Sequence, residues 1–346
     1  SLVLLCPPPT AVLRASAPSG SPMTLAVRFH RTGGPEVLEL ETVKLPDPGP
    51  GEVLVQHSAV GINFIDTYQR GGLYPLPLPS GLGQEAAGVV QAIGDDVKGF
   101  AVGDRVVCGW GPPGAYAEAR VVRADRLLAL PPEIGFETAA AMMLKGMTVE
   151  YLIRRTYPAQ KGQTVLLHAA AGGVGLIACQ WLNHLGVKVI GTVGSKEKAE
   201  LAAAHGCDYP VIYTKENFVE RVREITGGKG VPVVFDSVGK DTFTGSLDCL
   251  APRGTLVCFG SASGKPEPFD VAVLAQKGSL FLTRTTLATY IATRFELETS
   301  ARALFDVVLR GKVKILIGQR WPLRDVQAAH RALEARNTVG SSLLIP

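Results

Sequence analysis

Hydrophobic and polar positions follow two different patterns along the chain. From about residue 24 to residue 144, short runs of alternating apolar and polar residues are separated by turn residues, including the Pro-Gly-Pro-Gly stretch at 48–51. Many short strands at this spacing are typical of a β-barrel. From about residue 148 to residue 284, continuous apolar strands alternate with helical segments. This second pattern predicts a parallel sheet that is covered by helices on both faces.

The composition agrees with a folded protein of two domains. The chain has 346 residues, of which 46% are hydrophobic and 19% are charged, and its formal net charge is +4. At roughly 100–200 residues per domain, this length allows two domains with sizeable cores. The charge is too small to indicate nucleic acid or an anionic membrane as a partner. No apolar run approaches the roughly 18 residues of a membrane span, so we expect a soluble, globular protein.

Residues 1–22 differ in composition from the rest of the chain. They are rich in Pro, Ser and Ala and contain no acidic residue. Their single Arg14 and their three consecutive prolines do not fit a transit peptide, which is rich in Arg and Ser. We predict a disordered N-terminal extension, with mitochondrial targeting as the minor alternative. The six cysteines are scattered without a CxxC pair, which favours a reducing compartment and a cytoplasmic location.

The strongest local motif is the glycine-rich turn AAAGGVG at residues 169–175, which directly follows a predicted strand at 163–168 and begins a helix. Glycines let the backbone turn tightly, and a helix N-terminus presents free N–H groups to a pyrophosphate. Gly175 is expected to let the helix pack closely on the strand. The motif predicts that a dinucleotide binds here. A tight turn without a ligand is the alternative.

The end of the next predicted strand indicates which dinucleotide binds. An NAD site has an Asp or Glu here that accepts the ribose 2′-hydroxyl. In this chain the strand is followed by Gly194, Ser195, Lys196, Glu197 and Lys198. A small hydroxyl residue and two lysines suit a 2′-phosphate, which a carboxylate would repel. We therefore predict NADPH and expect Glu197 to face solvent; the alternative is that the two lysines belong to an ordinary solvated face.

Motifs along the whole chain carry a family resemblance. The run QTVLLHAAAGGVGLIACQ (163–180) resembles the signature of the zinc-independent quinone oxidoreductases, the zeta-crystallin-like branch of the medium-chain dehydrogenase/reductase superfamily. Further matching segments are GGPEVL (33–38), GINFIDTYQRGGLYP (61–75), PSGLGQEAAG (79–88), LKGMTV (144–149), ITGGKG (225–230), DSVGKDTF (236–243), QKGSLFLTR (276–284) and GSSLLIP (340–346). The resemblance covers nearly everything from Met23 onward and is closest to the bacterial quinone reductases. Asn183 departs from it, since the signature usually ends in Lys, Arg or Ser.

The resemblance implies a fold class and an order of domains. The fold is α/β, with a GroES-like β-barrel catalytic domain and a Rossmann, doubly wound nucleotide-binding domain. These domains are expected at residues 23–147 and 148–286, and residues 287–346 are expected to return to the catalytic domain. The resemblance also implies an active site in the cleft between the domains. A homodimer is expected to form through the nucleotide domains near residues 279–283.

The resemblance further implies a set of site residues. The expected contacts to the cofactor are Lys145, Thr148, Ala171, Gly172, Gly173, Val174, Ser195, Lys198, Tyr213, Phe259, Phe281 and Arg336. Asn63, Tyr68 and Tyr74 are expected to face the cleft, where their polar groups would orient or protonate the reduced substrate oxygen. Asp66 is either a local backbone cap or a catalytic group.

Zinc is not expected in this chain. Zinc-dependent relatives have Cys at the position of Asn63 and a His-Glu pair at the positions of Gln84 and Glu85, and amides do not replace the thiolate and imidazole ligands of a catalytic zinc. The four-cysteine structural lobe is also missing, since Cys108 is alone in its region. Without a Lewis acid, the chemistry of a simple alcohol loses its main electrostatic support. A quinone is electron-poor and accepts reducing equivalents without a metal.

These observations predict an enzyme that transfers reducing equivalents from NADPH to a quinone, mostly by positioning and desolvation. One alternative is an NADPH-dependent reductase of enones or 2-enoyl thioesters on the same fold. A second alternative is a nucleotide-binding or RNA-binding crystallin-like protein. The mildly basic charge is compatible with weak RNA binding, but no basic patch interleaved with aromatic residues indicates a dedicated RNA module.

Overall fold

The structure, a computed structural model, describes residues 23–346. The predicted disordered extension at residues 1–22 lies outside the described residues. In chain order the elements are β1 (Met23–Phe29), β2 (Glu39–Lys44), β3 (Glu52–Ile62), α1 (Phe64–Arg70), β4 (Ser80–Gly81), β5 (Glu85–Ile93), β6 (Arg105–Cys108), β7 (Ala119–Arg123), β8 (Leu128–Ala129), α2 (Phe136–Tyr151), β9 (Thr164–Leu167), α3 (Gly173–His184), β10 (Lys188–Val193), α4 (Lys196–Ala204), β11 (Tyr209–Ile212), α5 (Phe218–Ile225), β12 (Val231–Asp236), α6 (Phe243–Asp248), β13 (Leu250–Cys258), α7 (Ala272–Gln276), β14 (Phe281–Arg284), α8 (Leu287–Tyr290), α9 (Arg294–Leu309), β15 (Ile317–Pro322), α10 (Val326–Glu334) and β16 (Ser341–Ile345). Among residues 23–346, no helix combines the length and the apolar character that crossing a membrane requires.

The alternating pattern of the first part of the chain forms two β-sheets, as predicted. A three-stranded sheet has the order β2-β1-β4, and a seven-stranded sheet has the order β15-β16-β3-β5-β6-β8, with β7 also paired to β3. Alternate residues of β3, such as Val53 and Val55, point into a buried core while Gln56 is exposed. The last strand, β16, pairs antiparallel with β3 and places Leu344 opposite Val60. The C-terminal segment therefore completes the barrel-like sheet.

The second part of the chain forms the predicted parallel sheet. Its six strands have the order β11-β10-β9-β12-β13-β14, and all pairs are parallel. Successive residues of β9 enter opposite cores: Val165 and Leu167 pack on the side of α2 and α3, while Leu166 packs on the side of α5 and α6. The strand is apolar at every buried position because helices cover both faces of the sheet.

Helix α2 belongs to both parts of the molecule. It packs against β3 and β5 of the barrel and against α3 and α9, and its residues from Lys145 to Tyr151 are all buried. A Cβ at Gly146 would lie 2.4 Å from Leu304 Cδ1, so this glycine permits the close approach of α2 and α9. We keep 23–147, 148–286 and 287–346 as the proposed domain boundaries, and the first of them falls inside α2.

The barrel contains a buried histidine that reports on its stability. His57 is 5% exposed, and its Nδ1–H donates to the carbonyl oxygen of Ala117 at 2.8 Å. Burial, and then the nearby charge of Arg120, lowers the pKa of His57 to about 3. In the unfolded chain this histidine takes up a proton below its ordinary pKa of 6.5. Its contribution to stability is therefore complete above pH 6.5 and is lost as the pH falls toward 3.

We expect the substitution His57→Asn, which keeps a donor near the Ala117 carbonyl, to flatten this dependence. As the pH falls below ~6.5, the free energy of unfolding of the wild type should decrease more steeply than that of the variant, by up to about 1.4 kcal/mol per pH unit. Urea unfolding between about pH 7 and pH 5 measures the slope. The exposed His184 provides the control His184→Asn, which should leave the slope unchanged. Equal slopes for wild type and His57→Asn would contradict the assignment.

Candidate active site: a cleft between barrel and parallel sheet

A cleft of about 830 Å³ lies between the carboxyl edge of the parallel sheet and the barrel. This edge is where open α/β sheets bind ligands, because the loops diverge there. The predicted site residues that line the cleft are Asn63, Tyr68, Tyr74, Lys145, Thr148, Ala171, Gly172, Gly173, Val174, Lys198, Tyr213, Phe259 and Arg336. The structure therefore brings together residues that are up to 273 positions apart in the sequence (336 − 63).

The glycine-rich turn connects β9 to the N-terminus of α3. Gly172 is the N-cap residue of the helix, and Ala169 has a positive φ of 57°. A Cβ at Gly175 would lie 2.2 Å from the carbonyl oxygen of Ala169, so only glycine allows the helix to pack this closely on the turn. Gly172 also forms a parallel bridge with Gly340, just before β16. The free N–H groups of the first turn of α3 thus face the cleft, which suits a pyrophosphate.

A basic pair lies at the end of the cleft next to α4. Ser195 caps this helix, and its Oγ accepts a hydrogen bond from the Lys198 backbone N–H at 3.3 Å. The Lys198 ammonium donates to the backbone carbonyl of Arg336 at 2.5 Å. Burial, and then the positive charge of Arg336, lowers the pKa of Lys198. Tyr213 lines the same end. An anion bound here would offset the repulsion between the two cations.

The other charged side chains near this end differ in whether they reach the cleft. Glu197 is exposed and does not line the cleft, as expected. Lys196 is also exposed and lies 3.8 Å from Glu200. Asp241 does line the cleft, but its carboxylate lies 3.5 Å from the Arg336 guanidinium. Lys198, rather than Lys196, is the lysine that faces the cleft.

A buried polar network that the sequence reasoning missed fixes the floor beneath this end. Ser246 Oγ donates to Asp236 at 2.9 Å, so the Ser246 oxygen accepts from His168 Nε2 at 2.9 Å. His168 Nδ1 then accepts from the hydroxyl of Thr192 at 2.9 Å. Burial lowers the pKa of His168, while the negative charge of Asp236 acts in the opposite direction. The network ties together the carboxyl ends of β9, β10 and β12, and no short motif signals it because its members are far apart in sequence.

The opposite end of the cleft has a polar floor around Glu85. This carboxylate is fully buried and accepts hydrogen bonds from Asn63 Nδ2 at 2.9 Å and from the Leu144 backbone N–H at 2.8 Å. The Lys145 ammonium lies 3.3 Å from the same carboxylate. Gln84 donates its amide to Gln69. Amide N–H groups and an ammonium are hydrogen-bond donors rather than metal ligands, so this donor set does not fit a catalytic zinc.

Tyr68 and Tyr74 bridge the barrel to the loops of the parallel sheet. The Tyr68 hydroxyl accepts a hydrogen bond from the Ser261 backbone N–H at 3.0 Å, and the Tyr74 hydroxyl accepts one from Arg284 at 2.9 Å. Their rings meet edge to face, with centroids 5.5 Å apart. Burial raises the pKa of Tyr68 to about 12. The two side chains line the cleft as predicted, and their hydroxyls also hold its two walls together.

Asp66 acts as a backbone cap beneath the cleft. Its Oδ2 accepts hydrogen bonds from the Asn63 backbone N–H at 2.8 Å and from the Tyr116 hydroxyl at 2.7 Å. Arg70 always donates, so His330 accepts at Nδ1 (2.8 Å) and donates from Nε2 to Tyr116. Burial raises the pKa of Asp66 to about 7. Asp66 does not line the cleft; it holds Asn63 in place.

Two predicted cofactor contacts do not line the cleft. Ser195 acts one step away, by capping the helix that carries Lys198. Phe281 lies on the edge strand β14 with 62% of its side chain exposed, outside the cleft. Sequence reasoning also missed the apolar walls of the cleft, which come from four separate segments: Ile62 with Phe64, Trp110, Tyr151 and Leu287.

Comparison with known proteins places the chain in a family. Residues 173–299 match the zinc-binding dehydrogenase family, and residues 49–132 match the alcohol dehydrogenase GroES-like domain. A quinone oxidoreductase of Pseudomonas aeruginosa is 53% identical over 325 residues, which cover 94% of this chain and 100% of that protein. The chain belongs to the quinone oxidoreductases of the medium-chain dehydrogenase/reductase superfamily.

Two further relatives of this quinone oxidoreductase are informative about the site. The crystal structure of the Escherichia coli quinone oxidoreductase complexed with NADPH is 51% identical and has a TM-score of 0.92, covering 93% of this chain and 100% of that chain. A 2-haloacrylate reductase from Burkholderia is 45% identical over 332 residues, which cover 94% of this chain and 99% of that protein. The predicted fold class, a GroES-like barrel with a Rossmann domain, is confirmed.

The close packing of α3 on the glycine-rich turn at Gly175 leads to a testable prediction for this quinone oxidoreductase. We expect Gly175→Ala to weaken NADPH binding and to reduce stability by about 1–3 kcal/mol, because the new methyl group pushes α3 away from the turn. Fluorescence titration with NADPH and thermal unfolding measure the two effects. Gly135, at the N-terminus of α2, has open space around its Cβ position and provides the control Gly135→Ala. Unchanged NADPH affinity in Gly175→Ala would contradict this account.

Proposed function

We propose that this chain is an NADPH-dependent quinone reductase that works without zinc. The proposal rests on one observation: a single cleft joins a glycine-lined helix N-terminus and a basic pair to an apolar pocket whose floor carries Asn63 and Lys145. Quinone oxidoreductases that are 53% and 51% identical over their whole length support it.

The residues of the cleft fit NADPH. The first turn of α3 would hold the diphosphate, because its N–H groups are free and Gly172 and Gly173 leave the backbone accessible. Lys198 and Arg336 would hold the 2′-phosphate by charge. When bound, NADPH supplies the hydride. The E. coli relative was crystallised with NADPH, which supports this choice of cofactor.

The protein's own contribution is to orient the acceptor and to exclude water. The apolar walls suit a flat, uncharged ring, and burial in them strengthens every polar interaction at the floor. Asn63 is fixed through both its backbone and its side chain, by Asp66 and Glu85. A quinone needs no Lewis acid to accept reducing equivalents, in agreement with a floor of amide, carboxylate and ammonium groups.

A second candidate function is the reduction of an activated alkene. It is favoured by the relative described as a 2-haloacrylate reductase, at 45% identity over 94% of this chain. An activated alkene also accepts hydride without a metal, so the polar floor alone does not separate the two reactions. Their rates do.

The decisive experiment compares acceptors with one enzyme preparation. Oxidation of NADPH is followed optically with 1,4-benzoquinone, 9,10-phenanthrenequinone, an enone and 2-chloroacrylate, and is repeated with NADH. We expect fast turnover with a quinone and a preference for NADPH. Faster turnover of the alkenes than of either quinone would assign the chain to the second candidate. Tight NADPH binding without any turnover would overturn both.

Lys198 should carry the preference for NADPH. Hydrogen bonds to charged groups contribute about 1.5–3 kcal/mol, so we expect Lys198→Ala to raise the Michaelis constant for NADPH about 10- to 100-fold. The constant for NADH, which has no 2′-phosphate, should change little. Lys196→Ala is the matched control, because Lys196 lies on the same helix but faces solvent. Equal effects of Lys198→Ala on both cofactors would show that the phosphate lies elsewhere.

We also propose that the chain forms a homodimer through strand β14. This strand is an edge of the parallel sheet, and its Phe281 is exposed. An exposed edge with apolar side chains favours pairing with a second copy about a two-fold axis. We expect Phe281→Lys to shift the mass measured by light scattering from dimer to monomer. Phe295→Lys, at an even more exposed residue of α9, is the control. A wild-type monomer would refute the proposal.

A further inference from the structure

Lys145 is a buried lysine at the floor of the cleft, beneath the glycine-rich turn. It is 6% exposed and lines the cleft, and its stem passes directly under the glycine-rich turn. A Cβ at Gly173 would lie 2.7 Å from Lys145 Cδ, so glycine at that position leaves space for the lysine. The ammonium therefore lies between the diphosphate-binding turn and the apolar pocket, next to Asn63.

Glu85 holds this ammonium rigidly. One carboxylate oxygen accepts from Leu144, the residue before Lys145 on α2, and the other accepts from both Asn63 and Lys145. The carboxylate is fully buried and accepts hydrogen bonds from these three donors. A buried ion pair keeps its place because separating it would leave an uncompensated charge in the interior. Glu85 thus fixes the position of a positive charge at the floor before any ligand binds.

The other lysine and arginine side chains that line the cleft lie at its opposite end or bridge its walls. Lys198 and Arg336 lie at the opposite end, as described above. Arg284 donates to the carbonyl of Gly260 at 2.7 Å and to the Tyr74 hydroxyl. Within residues 23–346, Glu85 is the sole hydrogen-bond acceptor of the Lys145 ammonium. An ammonium has three N–H donors, so two of them are available to a ligand in the cleft.

We propose that Lys145 is a catalytic residue that donates a hydrogen bond, and then a proton, to the quinone oxygen on which negative charge develops. This inference rests on the proposed function. The quinone takes up a hydride from NADPH, with its two electrons, and becomes the hydroquinone anion. The Lys145 ammonium gives one proton to that oxygen, and solvent returns a proton to the amine. The products are hydroquinone and NADP⁺, and the reaction consumes one proton.

Other candidates for this role are less well placed. The hydroxyls of Tyr68 and Tyr74 accept hydrogen bonds from the loops across the cleft, and the high pKa of Tyr68, about 12, makes it a weak acid. Asp66 can hold a proton near neutral pH, but it does not line the cleft. Lys145 combines exposure to the cleft, transferable protons and a fixed position.

The first test separates catalysis from cofactor binding. Lys145→Met is compared with Lys145→Gln, which can still donate to Glu85, and with Lys145→Arg, which keeps the charge. We expect the single-turnover rate with bound NADPH to fall about 100-fold or more in the Met and Gln variants, as for loss of a general acid. The dissociation constant of NADPH should change by less than about threefold, and the Arg variant should be partly active. Lys312→Met, at an exposed lysine, is the control.

The second test does not depend on turnover. The 4-nitrophenolate anion resembles the charged reduced oxygen, and its absorption reports binding to the NADP⁺ complex. We expect the wild type to bind it at least about 10-fold more tightly than Lys145→Gln, a difference of ~1.4 kcal/mol. Equal affinity in both, or a Lys145→Gln variant that loses only NADPH affinity, would overturn the proposal and make Lys145 a cofactor contact alone. A wild type that does not reduce quinones would instead refute the proposed function.

Discussion

The structure depends on one packing constraint, the complete burial of the second half of helix α2. Barrel strands pack on one side of this helix, and α3 and α9 pack on others, with Gly146 allowing the close approach of α9. Interiors packed at crystal-like density do not slide easily. The barrel and the parallel sheet are therefore held at a fixed separation by an element that belongs to both. The cleft is the space that remains between them, and α2 itself supplies Lys145 and Thr148 to its floor.

The two ends of the cleft differ in charge. At the α4 end, Lys198 and Arg336 lie close together, with Asp241 paired to the Arg336 guanidinium at 3.5 Å, and the repulsion between the two cations falls when an anion binds. At the barrel end, the ammonium of Lys145 is already paired with Glu85, so this end carries little net charge and admits a neutral ring. One end thus selects for charge, and the other selects for shape and polarity.

The sequence predicts most of the fold because the hydrophobic pattern of its first part, alternating strands, differs from that of its second part, continuous apolar strands separated by helices. Strand β10 and the start of α3 lie where the pattern and the glycines place them. The cofactor end was predictable for the same reason, since a short motif encodes it. The barrel end was not: Glu85 and Arg284 gain their roles only through partners more than twenty residues away. For Phe281, family resemblance implied a cofactor contact, but the residue lies on the edge strand β14 with its side chain exposed.

The bridge between Gly172 and Gly340 has a consequence for synthesis. Residues 341–345 form the last strand, which pairs with β3 in the barrel, and Gly340 immediately before it completes the phosphate-binding turn. Domains generally fold in the order in which the ribosome releases them. Here neither half has all its contacts until the final strand emerges, so a nascent chain lacks a finished nucleotide pocket until every other described element has been translated. The nucleotide-binding turn and the closure of the barrel therefore share one stretch of backbone, residues 340–345.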